Sequence, residues 1–268
     1  MTITFSNATI AAYAISGTVF LIAGLLYFIL WKKRTKAPVF PIVTGAVTFL
    51  LFALGLKVIP LYPLMMADNA VSHTVNSTPW LLALVGGLSA GIFEETGRLL
   101  AFRTVLKKYP DKRTALDYGI GHGGIELIYS AFITLGYAAM GIMVNQNGAD
   151  ALLGNTPDYL KDTFMATLES KAALGFEMLP LGVMERAGAL MIHLAFSVMV
   201  FRAAHDKKSR WLYPAAILLH AAADASIVLL ADHVLLTEIL FIVFAAVMLF
   251  ISVRKVYRNT PSAQEVCA

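Results

Sequence analysis

The sequence predicts an all-α fold: a polytopic membrane helical bundle of about seven transmembrane helices, with the N-terminus outside and the C-terminus cytoplasmic. Three observations predict it. Of the 268 residues, 58% are hydrophobic and 14% charged, against about half and about 25% in soluble domains. Seven segments hold the roughly 20 mainly apolar residues that a helix rising 1.5 Å per residue needs to cross a hydrocarbon core about 30 Å thick. Basic residues gather after alternate segments, as expected when Lys and Arg are retained on the cytoplasmic side.

The first span, Ala8 to Trp31, has no basic residue ahead of it and no small-residue cleavage signal, so it reads as an anchor and not as a removed leader. Lys32, Lys33, Arg34 and Lys36 then mark an inside loop. The second span runs from Val39 to Met66 and the third from Pro79 to Leu106, followed by an inside loop bracketed by Arg103, Lys107, Lys108, Lys112 and Arg113. The fourth runs from Thr114 to Val144. The stretch from about Asn145 to Leu179, with Asp150, Asp158, Asp162, Glu169 and Glu177, is expected to be a long exterior loop, where only Lys161 and Lys171 break the basic asymmetry. The fifth span, Pro180 to Ala204, and the sixth, Leu212 to Ala231, flank Arg202, Lys207, Lys208 and Arg210. The seventh, His233 to Val256, ends at Arg254, Lys255 and Arg258. Sixteen of the 21 basic residues thus fall on one side. The net charge of +4 is a record of topology, and no nucleic-acid partner is expected.

The lone cysteine, Cys267, excludes a disulfide framework and a Cys-rich zinc site, and it does not form a C-a-a-X tail. No internal repeat and no inverted pair of broken helices is visible. Residues 1–268 are therefore expected to form a single integral-membrane domain, with an active-site core at about 79–231.

Ionisable side chains at the bilayer centre cost at least about 2.5–3.5 kcal/mol each on insertion scales, so each needs a partner, a cavity or a function. Eight lie in four spans: Glu94, Glu95 and Arg98 in the third, His122 and Glu126 in the fourth, His193 in the fifth, His220 and Asp224 in the sixth. Lys57 is the main exception elsewhere. Counted from the basic ends of their helices, the acidic groups and histidines share a layer roughly 12–18 Å deep. His122 with Glu126, His220 with Asp224, and Glu94 with Arg98 are each four residues apart and share a face. Glu95 is turned about 100° from Glu94, so one carboxylate can pair with Arg98 while the other faces the centre. The small residues of Gly119-Ile120-Gly121-His122-Gly123-Gly124 allow close helix approach. The same run matches a dinucleotide fingerprint only formally, because no strand precedes it.

Three histidines with carboxylates in one apolar layer suit a divalent metal, zinc by donor type. The metal ligands expected are His122, Glu126, His193 and His220. Such a metal acidifies a water and polarises a carbonyl, and a nearby free Glu takes the proton. Peptide hydrolysis inside the membrane follows, with a membrane-protein or membrane-associated peptide as substrate and the lipid bilayer as surroundings.

The motifs Glu94-Glu95-x-x-Arg98, His122-x-x-x-Glu126, the lone His193 and His220-x-x-x-Asp224 resemble the YhfC family of predicted intramembrane metalloproteases. That family is a branch of the superfamily that includes PrsW and the CAAX-processing (CPBP) proteases. The resemblance covers the third to sixth spans, about half the chain. It implies that Glu94 or Glu95 supplies the base, that Glu126, His220 and Asp224 occupy shared core positions, and that the protein sits in a bacterial plasma membrane. In CAAX-type members the later His and the residue four on help hold the oxyanion, which adds Asp224 to Glu94 and Glu95 as the expected catalytic set. The chain departs from the CAAX pattern by one fewer residue between the Glu pair and its Arg, by Glu126 in place of His, and by Asp224 in place of Asn; prenyl-protein substrates are not carried over.

Three other readings stand beside this one. A metal-free glutamate protease of the same fold uses His220 and Asp224 for the oxyanion and for orientation. A proton-coupled transporter would thread its relay through both halves of the bilayer rather than form a layer. A haem-binding bundle would use two histidines. Arg98 is expected as structural support, Glu185 with Arg186 as a packing pair, and His73, His205 and His233 as solvated.

Overall fold

The computed structural model describes residues 3–260 apart from 155, 157 and 177. Glu177 and Cys267, both weighed above, lie outside the described residues. The chain folds as α1 (Asn7–Thr35), α2 (Val39–Met66), α3 (Ala70–Ser77), α4 (Pro79–Arg103), α5 (Arg113–Asn147), α6 (Asp158–Ala172), α7 (Met178–His205), α8 (Leu212–Leu229) and α9 (Val234–Ile251). No strand occurs among the described residues. This is the all-helical, polytopic membrane architecture that the composition demands.

Among the described residues, six helices are long and apolar enough to cross a membrane alone: α1, α2, α5, α7, α8 and α9. The third expected span, α4, passes that test only together with α3, from which it is bent by 103°. Its second half carries Glu94, Glu95, Arg98 and Arg103, which lower its hydropathy although its 25 residues are ample in length. Asn69 caps α3 through its side chain, which accepts from Val71 N at 2.8 Å and Ser72 N at 3.0 Å. Pro79, at the first turn of α4, needs no hydrogen bond for its nitrogen. The stretch expected as a long loop contains the 15-residue helix α6, because Phe164 and Leu168, one turn apart, supply an apolar stripe that buries Leu168.

Two compact units divide the chain. One comprises Met1–Leu25 and Leu127–Arg186. In it Phe5, Val144 and Leu168 form a small core. Asn145 pins the N-terminal segment by accepting from Phe5 N at 2.9 Å and donating to Phe5 O at 2.7 Å. Arg186 pairs with Glu185, as expected, and donates to Ser130 Oγ at 3.0 Å.

The other unit comprises Leu26–Glu126 and Ala187–Ala268 and holds every residue expected in the site. Its core centres on Phe102, Tyr118, Phe196 and Phe201, all but fully buried. Phe102 packs against the tilted Tyr118 ring at 4.9 Å and meets Phe201 edge-on at 5.2 Å. Helices approach at backbone contact where glycines allow it. A Cβ on Gly87 or Gly91 of α4 would overlap the carbonyls of Ala221 and Ile217 on α8, and one on Gly121 of α5 would overlap that of Ile42 on α2. The first of these crossings brings the polar faces of α4 and α8 together, and the second seats α5 on α2. Outward, Ile59, Leu218, Val243 and Phe250 stay exposed, as lipid-facing residues do.

Within α2 the hydrogen bonding is not uniform. Phe49–Leu56 and Tyr62–Met66 are π-helical, and Lys57 N donates to Phe52 O, five residues back, at 3.1 Å. Pro60 and Pro63 offer no N–H to a regular ladder. Widened turns rotate the residues beyond them off the face that a 3.6-residue period assigns, and Lys57 lies directly after the first.

Candidate active site

Glu95, Arg98 and His220 form the buried base of the site. Arg98 Nη1 donates to both oxygens of Glu95 at 2.6 Å, an i,i+3 pair with both side chains fully enclosed. The sequence left open which glutamate takes the arginine; the structure pairs it with Glu95 and turns Glu94 toward the centre. Glu95 Oε1 also accepts from His220 Nδ1 at 2.8 Å. A carboxylate held by an arginine only accepts, so His220 carries a proton on Nδ1, and in the neutral ring the lone pair lies on Nε2. That atom lies 3.9 Å from Glu94 Oε2 and 4.0 Å from Asp224 Oδ1. His220 and Asp224, expected to share a face, are therefore close without being hydrogen-bonded.

Three imidazoles surround the Glu94 carboxylate. His122 Nε2 donates to Glu94 Oε2 at 3.1 Å, and His220 Nε2 approaches the same atom. His193 lies tilted against the His122 ring at 4.6 Å and meets the His220 ring at 5.9 Å. Arg98 Nη2 reaches His193 Nδ1 at 3.2 Å. Because guanidinium only donates, His193 carries its proton on Nε2, which faces the carboxylate of Glu126. His122 Nδ1 is buried without a hydrogen-bond partner. Phe49 closes over the His122 ring at 5.2 Å, and the Arg98 guanidinium lies 5.9 Å from the Tyr118 ring.

All seven residues expected in the site thus meet in one layer. Asp224 is the most open of the carboxylates, with 40% of its side chain exposed, against 8% for Glu94 and none for Glu95. One member of the site was noted in the sequence only as an ionisable exception and was not placed there: Lys57, whose Nζ lies 3.8 Å from Glu94 Oε1. A lysine far inside an apolar span was the signal that could have assigned it.

The protein-family model that matches residues 18–249 is described as YhfC intramembrane metalloprotease. The chain belongs to the YhfC family. A relative from Bacillus subtilis (strain 168), described as an uncharacterized membrane protein YhfC, is 26% identical over 254 residues, covering 91% of this chain and 95% of its own. No solved structure matches. The chain is thus an integral, multi-pass membrane protein of a family described as metalloproteases.

The donors present in this YhfC chain fit a divalent metal. Glu94, His122 and His193 offer ligand atoms that all lie within 4.8 Å of one another, and neutral imidazole with carboxylate is a donor set that suits zinc. By formal count the four carboxylates of Glu94, Glu95, Glu126 and Asp224 outnumber the basic side chains of Arg98 and Lys57 by two, the charge that a divalent cation would balance.

Proposed function

We propose that this protein is an intramembrane endopeptidase that hydrolyses peptide bonds of membrane-embedded or membrane-associated proteins, with a divalent metal, zinc by donor type, and with His220 as the proton carrier. The observation that carries the reading is the convergence of imidazoles from α5, α7 and α8 on the Glu94 carboxylate. Glu94, His122 and His193 would hold the metal, which supplies polarisation of the peptide carbonyl and acidification of a water. Glu95 is spent on Arg98 and His220, so it orients rather than reacts. With its Nδ1 proton held by Glu95, His220 receives the proton of the attacking water at Nε2 and returns it to the departing amide nitrogen. Asp224, on the open side of His220, steadies the imidazolium in between. Glu126 holds the His193 ring.

The test is cleavage of a co-expressed membrane substrate. Glu94→Gln and His220→Gln should each abolish it while the protein still inserts, and His122→Ala with His193→Ala should lower bound zinc in purified protein. Full cleavage by both single variants would remove the proposal. A metal-free hydrolase with the same proton carrier is favoured by one observation: the Arg98 contact that places the His193 proton on Nε2 leaves that ring no lone pair for a metal. Elemental analysis of wild-type protein separates the two readings.

A further inference from the structure

Lys57 has no role in the chemistry described so far. It stands nine residues before Met66 and eighteen after Val39 within one apolar helix. At 1.5 Å per residue the nearer end is about 14 Å away, farther than four methylenes carry an ammonium, so it cannot snorkel to either interface. A charge held at that depth is a functional position by default. The geometry agrees. Its ammonium lies 3.8 Å from Glu94 Oε1, the oxygen not engaged by a histidine. No hydrogen bond from it is made to any described residue, so its three donors are unspent. Its side chain is 22% exposed, whereas Arg98, the other cation of the site, is fully enclosed. The π-helical stretch Phe49–Leu56 ends immediately before it, and such stretches are frequent at functional sites.

We infer that Lys57 is a catalytic residue whose ammonium hydrogen-bonds the carbonyl oxygen of the scissile peptide as negative charge develops there. The inference rests on the peptidase reading given above. As the water oxygen bonds to the carbonyl carbon, the C=O electron pair moves to oxygen, where the Lys57 N–H donates a hydrogen bond without transferring its proton. The water's proton goes to His220 Nε2. When the C–N bond breaks, the carbonyl re-forms and that proton leaves with the amine, so acid and amine are the only products. A preformed donor aimed at developing charge in a water-poor site is the arrangement that lowers such a barrier most.

The experiment uses the full-length protein in detergent, a quenched-fluorescence transmembrane-helix peptide as substrate, and the phosphinic analogue of the same peptide, which presents an anionic tetrahedral centre. Lys57→Met should lower kcat about 10²–10³-fold, the loss typical of one oxyanion donor, and weaken the phosphinic analogue by a similar factor. KM, melting temperature and metal content should hold, and Lys57→Arg should recover part of the loss. The inference is overturned if kcat is unchanged, if peptide and analogue weaken equally, if metal or melting temperature falls along with activity, or if Lys57→Arg recovers nothing. Wild-type protein that neither cleaves the peptide nor binds the analogue removes the peptidase reading itself. Wild-type cleavage matched by Lys57→Met removes only the role of Lys57.

Discussion

Arg98 offers the sharpest test of how the site is held together. Replacing it with methionine keeps an unbranched, buried stem but removes two 2.6 Å charge-assisted bonds to Glu95 and the 3.2 Å contact with His193. Both members of the pair are fully enclosed, so Arg98→Met leaves the Glu95 carboxylate with His220 alone. Breaking a buried pair by removing one partner costs about 3–5 kcal/mol, most of it the penalty of the abandoned charge. At roughly 2–4 °C per kcal/mol for a chain of about this size, the melting temperature of the purified protein should fall by roughly 6–20 °C. The double variant Arg98→Met, Glu95→Gln removes that charge, and its new amide oxygen still accepts from His220 Nδ1. Neighbours in one network couple by on the order of 1–3 kcal/mol, so the double variant should melt above Arg98→Met. Thermal unfolding of wild type, both single variants and the double in one detergent gives the whole cycle. A double variant no more stable than Arg98→Met would refute the idea that the arginine is there to neutralise Glu95.

Two further outcomes follow from the packing and the charge pattern. Gly121→Ala should destabilise the protein by about 1–3 kcal/mol, the usual range for overpacking, since its methyl would overlap the Ile42 carbonyl; Gly86→Ala, with nothing within 4 Å of the added carbon, should not, and thermal unfolding compares them. If the basic loops are cytoplasmic, a membrane-impermeant maleimide should label Cys267, the single cysteine, only after cells are opened; labelling of intact cells would reverse the orientation.

The polar layer was legible in the sequence because a membrane makes ionisable residues expensive: His122, His193, His220 and their acidic neighbours could not be incidental at similar depths. Helical spacing also showed that Glu94 and Glu95 face different directions. It could not say which faces Arg98, since i,i+3 and i,i+4 partners are both within reach and only the packing of α8, which brings His220 to Glu95, decides. Lys57 stood out as an ionisable residue in an apolar span but could not be placed by the same spacing, because the π-helical turns in α2 break the 100° period on which facing is computed. Helix α6 was missed for another reason: its apolar stripe is short, centred on Phe164 and Leu168, and its polar residues resemble those of a loop.

One guanidinium gives two histidines opposite tautomers, and that asymmetry explains how similar rings acquire different work. Through Glu95 it places the His220 proton on Nδ1 and frees Nε2; directly it occupies His193 Nδ1 and places the proton on Nε2, against Glu126. The first ring is prepared to accept a proton. The second can bind a metal through Nε2 only after its single proton shifts to Nδ1, which displaces the Arg98 contact, or after the ring turns, since losing that proton outright would leave an imidazolate. Glu126, against Nε2, is the group placed to relay the shift, so Glu126→Gln, whose amide cannot take up the proton, should slow zinc uptake by the purified apo-protein without lowering the metal bound at equilibrium. Equal uptake rates in stopped-flow zinc binding would mean that Glu126 merely props the ring.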